Sequence, residues 1–192
     1  MRCWLQQAGG RCLEQELRRS WQGEAVLPPF FFSFLLQGEE LVFRARREAP
    51  ALVHPAAQAG RFCAELWRYD VVEFFIATPN ASRYLEFNLC PNGAWWAAGF
   101  SEPRVALPGF EAESLRPRIQ SDFRPERWVC EARLPLHFFE AWGWGLRRPC
   151  RMAACAVLCR EGGYTYLTTS EQLSGAPDFH RPWDWEAPLL PD

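Results

Sequence analysis

A chain of 192 residues is long enough for one domain with a full core and too short for two generous ones, so a single domain over residues 1–192 is expected. Nearly half of it is hydrophobic (48%), which excludes disorder, and a net charge of −2 gives no broad basic surface for nucleic acid or an anionic membrane. An aromatic content of 15%, with 10 Trp and 15 Phe, suits both a sheet-rich core and flat platforms on which sugars or bases stack.

The first 20 residues carry charges throughout and lack an apolar run, so no signal peptide is read there and a cytoplasmic location is expected. Leu13, Leu17 and Trp21 recur at a spacing of four, which predicts a short N-terminal helix. Beyond it the pattern is that of strands. The most apolar run, Phe30 to Leu36, is far shorter than the roughly 20 residues that cross a bilayer. With Leu41 to Arg46 it flanks Gln37-Gly38-Glu39-Glu40 and forms a predicted hairpin.

Further strands are predicted at Val71–Ile76, Tyr84–Leu89, Trp128–Leu134, Arg151–Leu158 and Tyr164–Thr168, the last two joined by a turn at Gly162-Gly163. Their alternation divides apolar from polar residues. Val72, Phe74 and Ile76 oppose Val71, Glu73 and Phe75, while Leu85, Phe87 and Leu89 oppose Tyr84, Glu86 and Asn88. Cys130, Ala132 and Leu134 oppose Glu131 and Arg133 in the same way. Two sheets stacked on their apolar faces make an all-β, two-layer antiparallel β-sandwich, with Phe74, Phe87, Leu85 and Leu134 between them. Glu73, between Val71 and Phe75, reads as a carboxyl in a groove rather than on open surface.

The eight Cys contain no Cys-x-x-Cys pair, so free thiols are expected and a zinc site at Cys155 and Cys159 is disfavoured. Three widely separated His and no nucleophile-elbow, zinc-protease or phosphate-loop motif argue against an enzyme. No metal and no cofactor are expected.

Three stretches carry chemistry. The first is Leu66-Trp67-Arg68-Tyr69-Asp70-Val71-Val72-Glu73-Phe74-Phe75-Ile76, continuing at Tyr84-Leu85-Glu86-Phe87-Asn88-Leu89-Cys90-Pro91-Asn92-Gly93-Ala94-Trp95. The others are Trp128-Val129-Cys130-Glu131-Ala132-Arg133-Leu134-Pro135-Leu136 and Pro177-Asp178-Phe179-His180-Arg181-Pro182. In this order they resemble the signature of the family-nine carbohydrate-binding modules and the related DOMON-like domains, most nearly an uncharacterised bacterial branch. The resemblance runs over about residues 25–190, and residues 1–24 have no counterpart in it.

The resemblance implies a jelly-roll sandwich with a concave sheet face on which a terminal sugar lies between two aromatic rings. Trp67 stands where the family has one stacking Trp, Glu73 where it has a sugar-contacting carboxylate, Asn88 where some members have an Arg, and His180 where the second stacking Trp occurs. Glu86 adds a second carboxyl, Trp183 or Trp185 lies close enough to supplement His180, and whichever of Trp95 and Trp96 faces outward adds a platform, Trp95 being the residue taken for it. Calcium, which some members hold, is not expected with only five Asp and no Asp-rich loop.

The function so implied is non-catalytic binding of a carbohydrate or similar polyhydroxylated ligand. The alternatives are a cytoplasmic protein-interaction module of the same fold, a glycosidase-like use of Glu73 and Glu86, and a DOMON-type haem site through Met152 and a His.

Overall fold

A computed structural model describes residues 3, 5–7, 13–147, 149–171 and 175–188. Among the described residues, twelve strands form two sheets. The first sheet contains β1 (Leu5–Gln7), β2 (Gln15–Arg19), β3 (Ala25–Gln37), β4 (Glu40–Arg47), β9 (Arg118–Phe123) and β10 (Trp128–Pro135), in the order β1-β3-β4-β10-β9 with β2 also on β3. The second contains β5 (Val71–Ala77), β6 (Tyr84–Leu89), β7 (Trp95–Glu102), β8 (Val105–Ala106), β11 (Arg151–Arg160) and β12 (Gly163–Thr168), in the order β12-β11-β5-β6-β7-β8. All pairings are antiparallel except β1 with β3. A six-residue helix, α1 (Leu136–Ala141), follows β10.

The sheets meet through the alternation the sequence displays. Phe74 of β5 packs on Phe43 and Phe34 of the first sheet at ring distances of 5.1 and 5.7 Å, and on Phe87 of β6 at 5.2 Å. Phe74, Phe87, Leu85 and Leu134 are all buried in this one core. The predicted β3–β4 hairpin forms, with Gln37 opposite Glu40 and Gly38 at positive φ in the tight turn. Gly162-Gly163 likewise turns β11 into β12.

The N-terminal helix does not form. Leu17 lies in strand β2, where Gln15 and Leu17 point inward, and Trp21 sits in the turn after it. A spacing of four is an even number, so it keeps side chains on one face of a strand as well as of a helix, and pairing with β3 decides between them. The seven described cysteines are free, and Cys12 lies outside the described residues. No helix among the described residues is long and apolar enough to cross a membrane.

Candidate functional site

The outer face of the second sheet carries the polar half of the alternation, yet every residue of β5 and β6 is buried on both faces. Strand register lays out this face in rows. One row reads Thr168, Cys155, Glu73, Asn88, Trp96, and the next reads Ala153, Phe75, Glu86, Ala98. Two segments outside the sheet cover and frame it.

The first segment is the turn before β5. Leu66 is buried against Val71, Cys90, Ala94 and Val157, which leaves the next residue, Trp67, half-exposed on the far side of the 3-10 turn Leu66–Arg68. The Arg68 guanidinium lies 5.2 Å from the Trp67 ring. Asp70 fixes this turn to the sheet: its amide donates to the Leu52 carbonyl at 2.8 Å, and its Oδ1 accepts the Cys159 amide at 2.6 Å.

The second segment is the loop 177–186. Phe179 is wedged among Trp21, Phe75 and Tyr166 at ring distances of 6.1, 6.3 and 5.9 Å, and Trp185 is buried on Phe75 and Tyr84. Between these anchors His180 meets Phe75, Tyr84 and Phe100 edge-on. At the rim, Asp178 Oδ1 accepts both the His180 amide at 3.0 Å and Arg104 Nη2 at 2.7 Å.

Between the two segments lies a cleft of about 370 Å³ lined by Trp67, Glu73, Glu86, Trp96, Phe100, Arg104, Val157, Tyr166 and residues 177–180. It runs along the strands, from Trp67 beside Val71, past Glu73 and Glu86, to Phe100 and His180 above Tyr84. Its size is within the range of small-ligand sites.

The floor is acidic. Glu73 is 2% exposed, and no described residue donates a hydrogen bond to its carboxyl. Burial, followed by the charge of Glu86, raises its pKa well above the usual carboxylate range. Glu86 is pushed up to about 7, chiefly by burial, against the lowering effects of the Asn88 hydrogen bond (Nδ2 to Oε1, 3.0 Å) and of Arg104. Asn88 Oδ1 is fully buried without a partner among the described residues.

A hydrogen-bond chain sets the state of His180. The Arg104 amide donates to Tyr84 Oη at 3.0 Å, and Tyr84 Oη lies 2.7 Å from His180 Nδ1. The Tyr84 phenol is pushed up to about 12 by burial, so it holds its proton, and Nδ1 is the acceptor within reach. The imidazole is then neutral with its proton on Nε2, 3.5 Å from Glu86 Oε2. Burial and Arg104 hold the His180 pKa down to about 4. The contact with Glu86 is long, and Glu86 is itself inclined to neutrality, so it does little to charge the ring.

Trp67, Glu73, Glu86 and His180 thus line one cleft, with Asn88 beneath it as a positioning group for Glu86. Two expected members lie elsewhere. Trp95 faces the core, stacked on Phe87 at 6.2 Å and edge-on to Phe62 at 5.3 Å, and its neighbour Trp96 is the one that faces the cleft. The turn Cys90–Ala94 sets that phase. Gly93 there has φ +91°, and a Cβ on it would come within 2.9 Å of Ser121 Oγ. Trp183 lines a different cleft, of about 420 Å³, with Pro79, Cys150, Arg151 and Glu171. The turn Pro182–Asp184 buries Pro182 and sends Trp183 away from His180.

Sequence reasoning named Trp96 only as the alternative to Trp95, and it missed Phe100, Arg104, Tyr166 and Asp178. The alternation signal covers Trp96 and Phe100 once the phase of β7 is known, whereas the Arg104–Asp178 pair depends on tertiary approach across 74 residues. Met152 is buried between the sheets, on the opposite face of the second sheet from His180, so the two cannot hold one haem. Among the described residues there is no group of three or more His, Cys, Asp or Glu placed to hold a metal ion.

No family model matches the chain. A Mus musculus protein, the UPF0462 protein C4orf33 homolog, is 44% identical over 89 residues, covering 44% of this chain and 42% of the mouse protein. The Homo sapiens UPF0462 protein C4orf33 is 31% identical over 97 residues, covering 48% of this chain and 43% of the human protein. The match spans under half the length of these mammalian relatives. Solved structures align over far more of the chain. A family 9 carbohydrate-binding module from Caldicellulosiruptor kristjanssonii, in complex with glucose, superposes with a TM-score of 0.64 at 10% identity, covering 100% of this chain and 96% of the module. A family 9 module from the same organism, in complex with cellotriose, gives 0.57 at 10% identity over 89% and 85%. A Bacteroides uniformis protein gives 0.63 at 14% identity over 94% and 87%. At these identities the likeness is one of fold: the chain has the two-sheet sandwich of the family 9 modules.

Proposed function

We propose that this chain is a non-catalytic binding domain of the DOMON-like and family-nine superfamily, and that it takes a carbohydrate or other small polyhydroxylated ligand in the cleft between Trp67 and His180. The observation that carries this reading is the floor. Glu73 lines the cleft, is almost wholly buried and receives no hydrogen bond from the described residues, so the fold carries a desolvation cost with no internal return. Ligand hydroxyls would supply the missing partners. The exposed face of Trp67 offers a flat apolar surface to the C–H face of a sugar ring. Glucose and cellotriose in the complexes of the superposed modules favour the same class.

Glu73 and Glu86 are also the pair that a two-carboxyl glycoside hydrolase would use, and hydrolysis of a glycoside, lost in Glu86→Gln, would replace binding by catalysis.

Calorimetric titration with mono- and oligosaccharides tests the reading. The Trp67→Ala variant should bind more weakly by about 1–3 kcal/mol, while its unfolding free energy falls by less than the roughly 3–5 kcal/mol of a core Trp truncation. Silence across the sugar panel, together with a protein partner that co-purifies and is lost in Trp67→Ala, would transfer the cleft to an interaction module.

A further inference from the structure

Several acids of this protein sit with arginines. Glu14 pairs with Arg46, Glu40 with Arg118, Glu131 with Arg133 and Asp178 with Arg104, at 2.6–3.0 Å, and the buried Asp70 has Arg160 at 3.7 Å. Glu73 and Glu86, buried as Asp70 is, differ. Both are buried on the cleft floor, and among the described residues neither has an Arg within ion-pair distance.

The groups that face them are accounted for element by element. Asn88 and Tyr84 come from β6, Cys155 from β11, Tyr166 from β12, Arg104 from the turn after β7, and Asp178 and His180 from the covering loop. Arg104, the one Arg among the described residues that line the cleft, is held by Asp178 at an exposed rim, and His180 spends its Nδ1 lone pair on Tyr84. Above the acids the walls are aromatic: Trp67, Trp96, Phe100, Tyr166 and Phe179. Acidic groups without a counter-ion, enclosed by the faces and edges of aromatic rings, form an environment that a cation completes by charge pairing below and cation–π contact around it.

We propose that the ligand of this cleft carries a protonated amine, an amino sugar being the class that fits, with the ammonium over Glu73 and Glu86 and the ring against Trp67. This rests on the carbohydrate reading above and narrows it. The ammonium supplies the donors that Glu73 lacks, and it draws the acids into their ionised forms, so complex formation releases protons from the floor. Tyr84, Cys155 and Tyr166 hold their protons and His180 stays neutral near pH 7, so that release is assigned to Glu73 and Glu86.

Calorimetry with D-glucosamine, D-glucose and N-acetyl-D-glucosamine on the whole chain, in two buffers of different ionisation enthalpy, decides the matter. Glucosamine should bind at least about tenfold more tightly than glucose or the acetylated sugar, a difference of about 1.4 kcal/mol. Its apparent heat should differ between the buffers in the direction of proton release. In Glu73→Gln and Glu86→Gln the preference should shrink toward unity. Equal binding of glucosamine and glucose, or a glucosamine heat independent of buffer, overturns the amine while leaving the sugar site standing. No binding of any of the three at millimolar concentration overturns both. The buffer comparison uses the unaltered protein, so the inference stays exposed even if a Gln variant fails to fold.

Discussion

The outer faces of the two sheets make the instructive contrast. Both carry the polar half of an alternating pattern, and both are hollowed into clefts of similar size, about 340 Å³ on the first sheet and about 370 Å³ on the second. On the first, Arg44, Gln120, Asp122 and Glu131 line an open groove, and charges of opposite sign pair along β10 and around the turn between β9 and β10. On the second, segments from outside the sheet cover the face, the walls are aromatic, and the floor is acidic, with no Arg within ion-pair distance of Glu73 or Glu86 among the described residues. Similar alternation has produced a solvated face in one sheet and a buried, uncompensated one in the other. What separates them is the loop 177–186 and the turn before β5, which exclude water from one face only.

The largest effect that bears on this contrast belongs to the core the two faces share. Phe74 touches rings from both sheets, so Phe74→Ala should cost about 3–5 kcal/mol in chemical denaturation. A loss under about 1 kcal/mol would mean that the sheets do not close on one another through this residue, and the distinction between inner and outer faces would lapse.

The next effect sharpens the contrast through pH. Glu86 has a folded pKa of about 7 against an ordinary value of 4.5. A carboxyl raised in this way contributes stability that is fully present below about 4.5 and is lost as pH rises through about 7. His180, lowered to about 4, acts oppositely: its contribution is present above 6.5 and is lost as pH falls toward 4. The wild-type profile therefore mixes these two with the raised Glu73, and the comparison with Glu86→Gln isolates what Glu86 adds, its repulsion of Glu73 included. The amide keeps an oxygen to accept from Asn88, so its advantage over wild type should grow by about 3 kcal/mol between pH 4.5 and pH 8. A constant difference across that range would show that Glu86 is solvated in the folded protein and that its face is no more covered than that of the first sheet.

Much of this was legible in the chain, and the exceptions have physical causes. Period-two alternation placed Phe74, Phe87, Leu85 and Leu134 between the sheets, because each strand packs an apolar face on a partner. The segments around Trp67, Glu73, Asn88 and His180 were recognisable as a set; Trp67, Glu73 and His180 line one cleft together with Glu86, whereas Asn88 is wholly buried and does not line it. The Leu13–Trp21 spacing misled because four residues return to the same face in either a helix or a strand, and the pairing of β2 with β3 is not a local property. Trp95 and Trp96 were indistinguishable because the phase of β7 is set by the turn at Gly93 and its contact with Ser121 of the other sheet. Whether Glu131 or Glu86 would be the covered acid was not written in their strands. It depends on residues some 90 positions later, whose Phe179 and Trp185 anchor the loop over one face.

The smallest effect tests the solvated side of the contrast. Glu131 and Arg133 stand two residues apart on β10, on one face, with Oε1 and Nε 3.0 Å apart and side chains 20% and 30% exposed. Each keeps some access to water and to ions, so the Coulombic gain is offset by high dielectric and by the entropy of holding two long side chains in register. A double-mutant cycle with Glu131→Gln and Arg133→Gln should therefore give a coupling of roughly 0.2–1 kcal/mol. That coupling should shrink further at about 1 M salt, where the screening length is about 3 Å. The destabilisation that Glu86 brings at pH 8 should respond far less to the same salt, because a desolvation cost is not screened by ions that cannot reach the group. A coupling above about 2 kcal/mol that ignores salt would mean that the first sheet's outer face is shielded as well. The asymmetry between the faces, on which the site assignment rests, would then need another explanation.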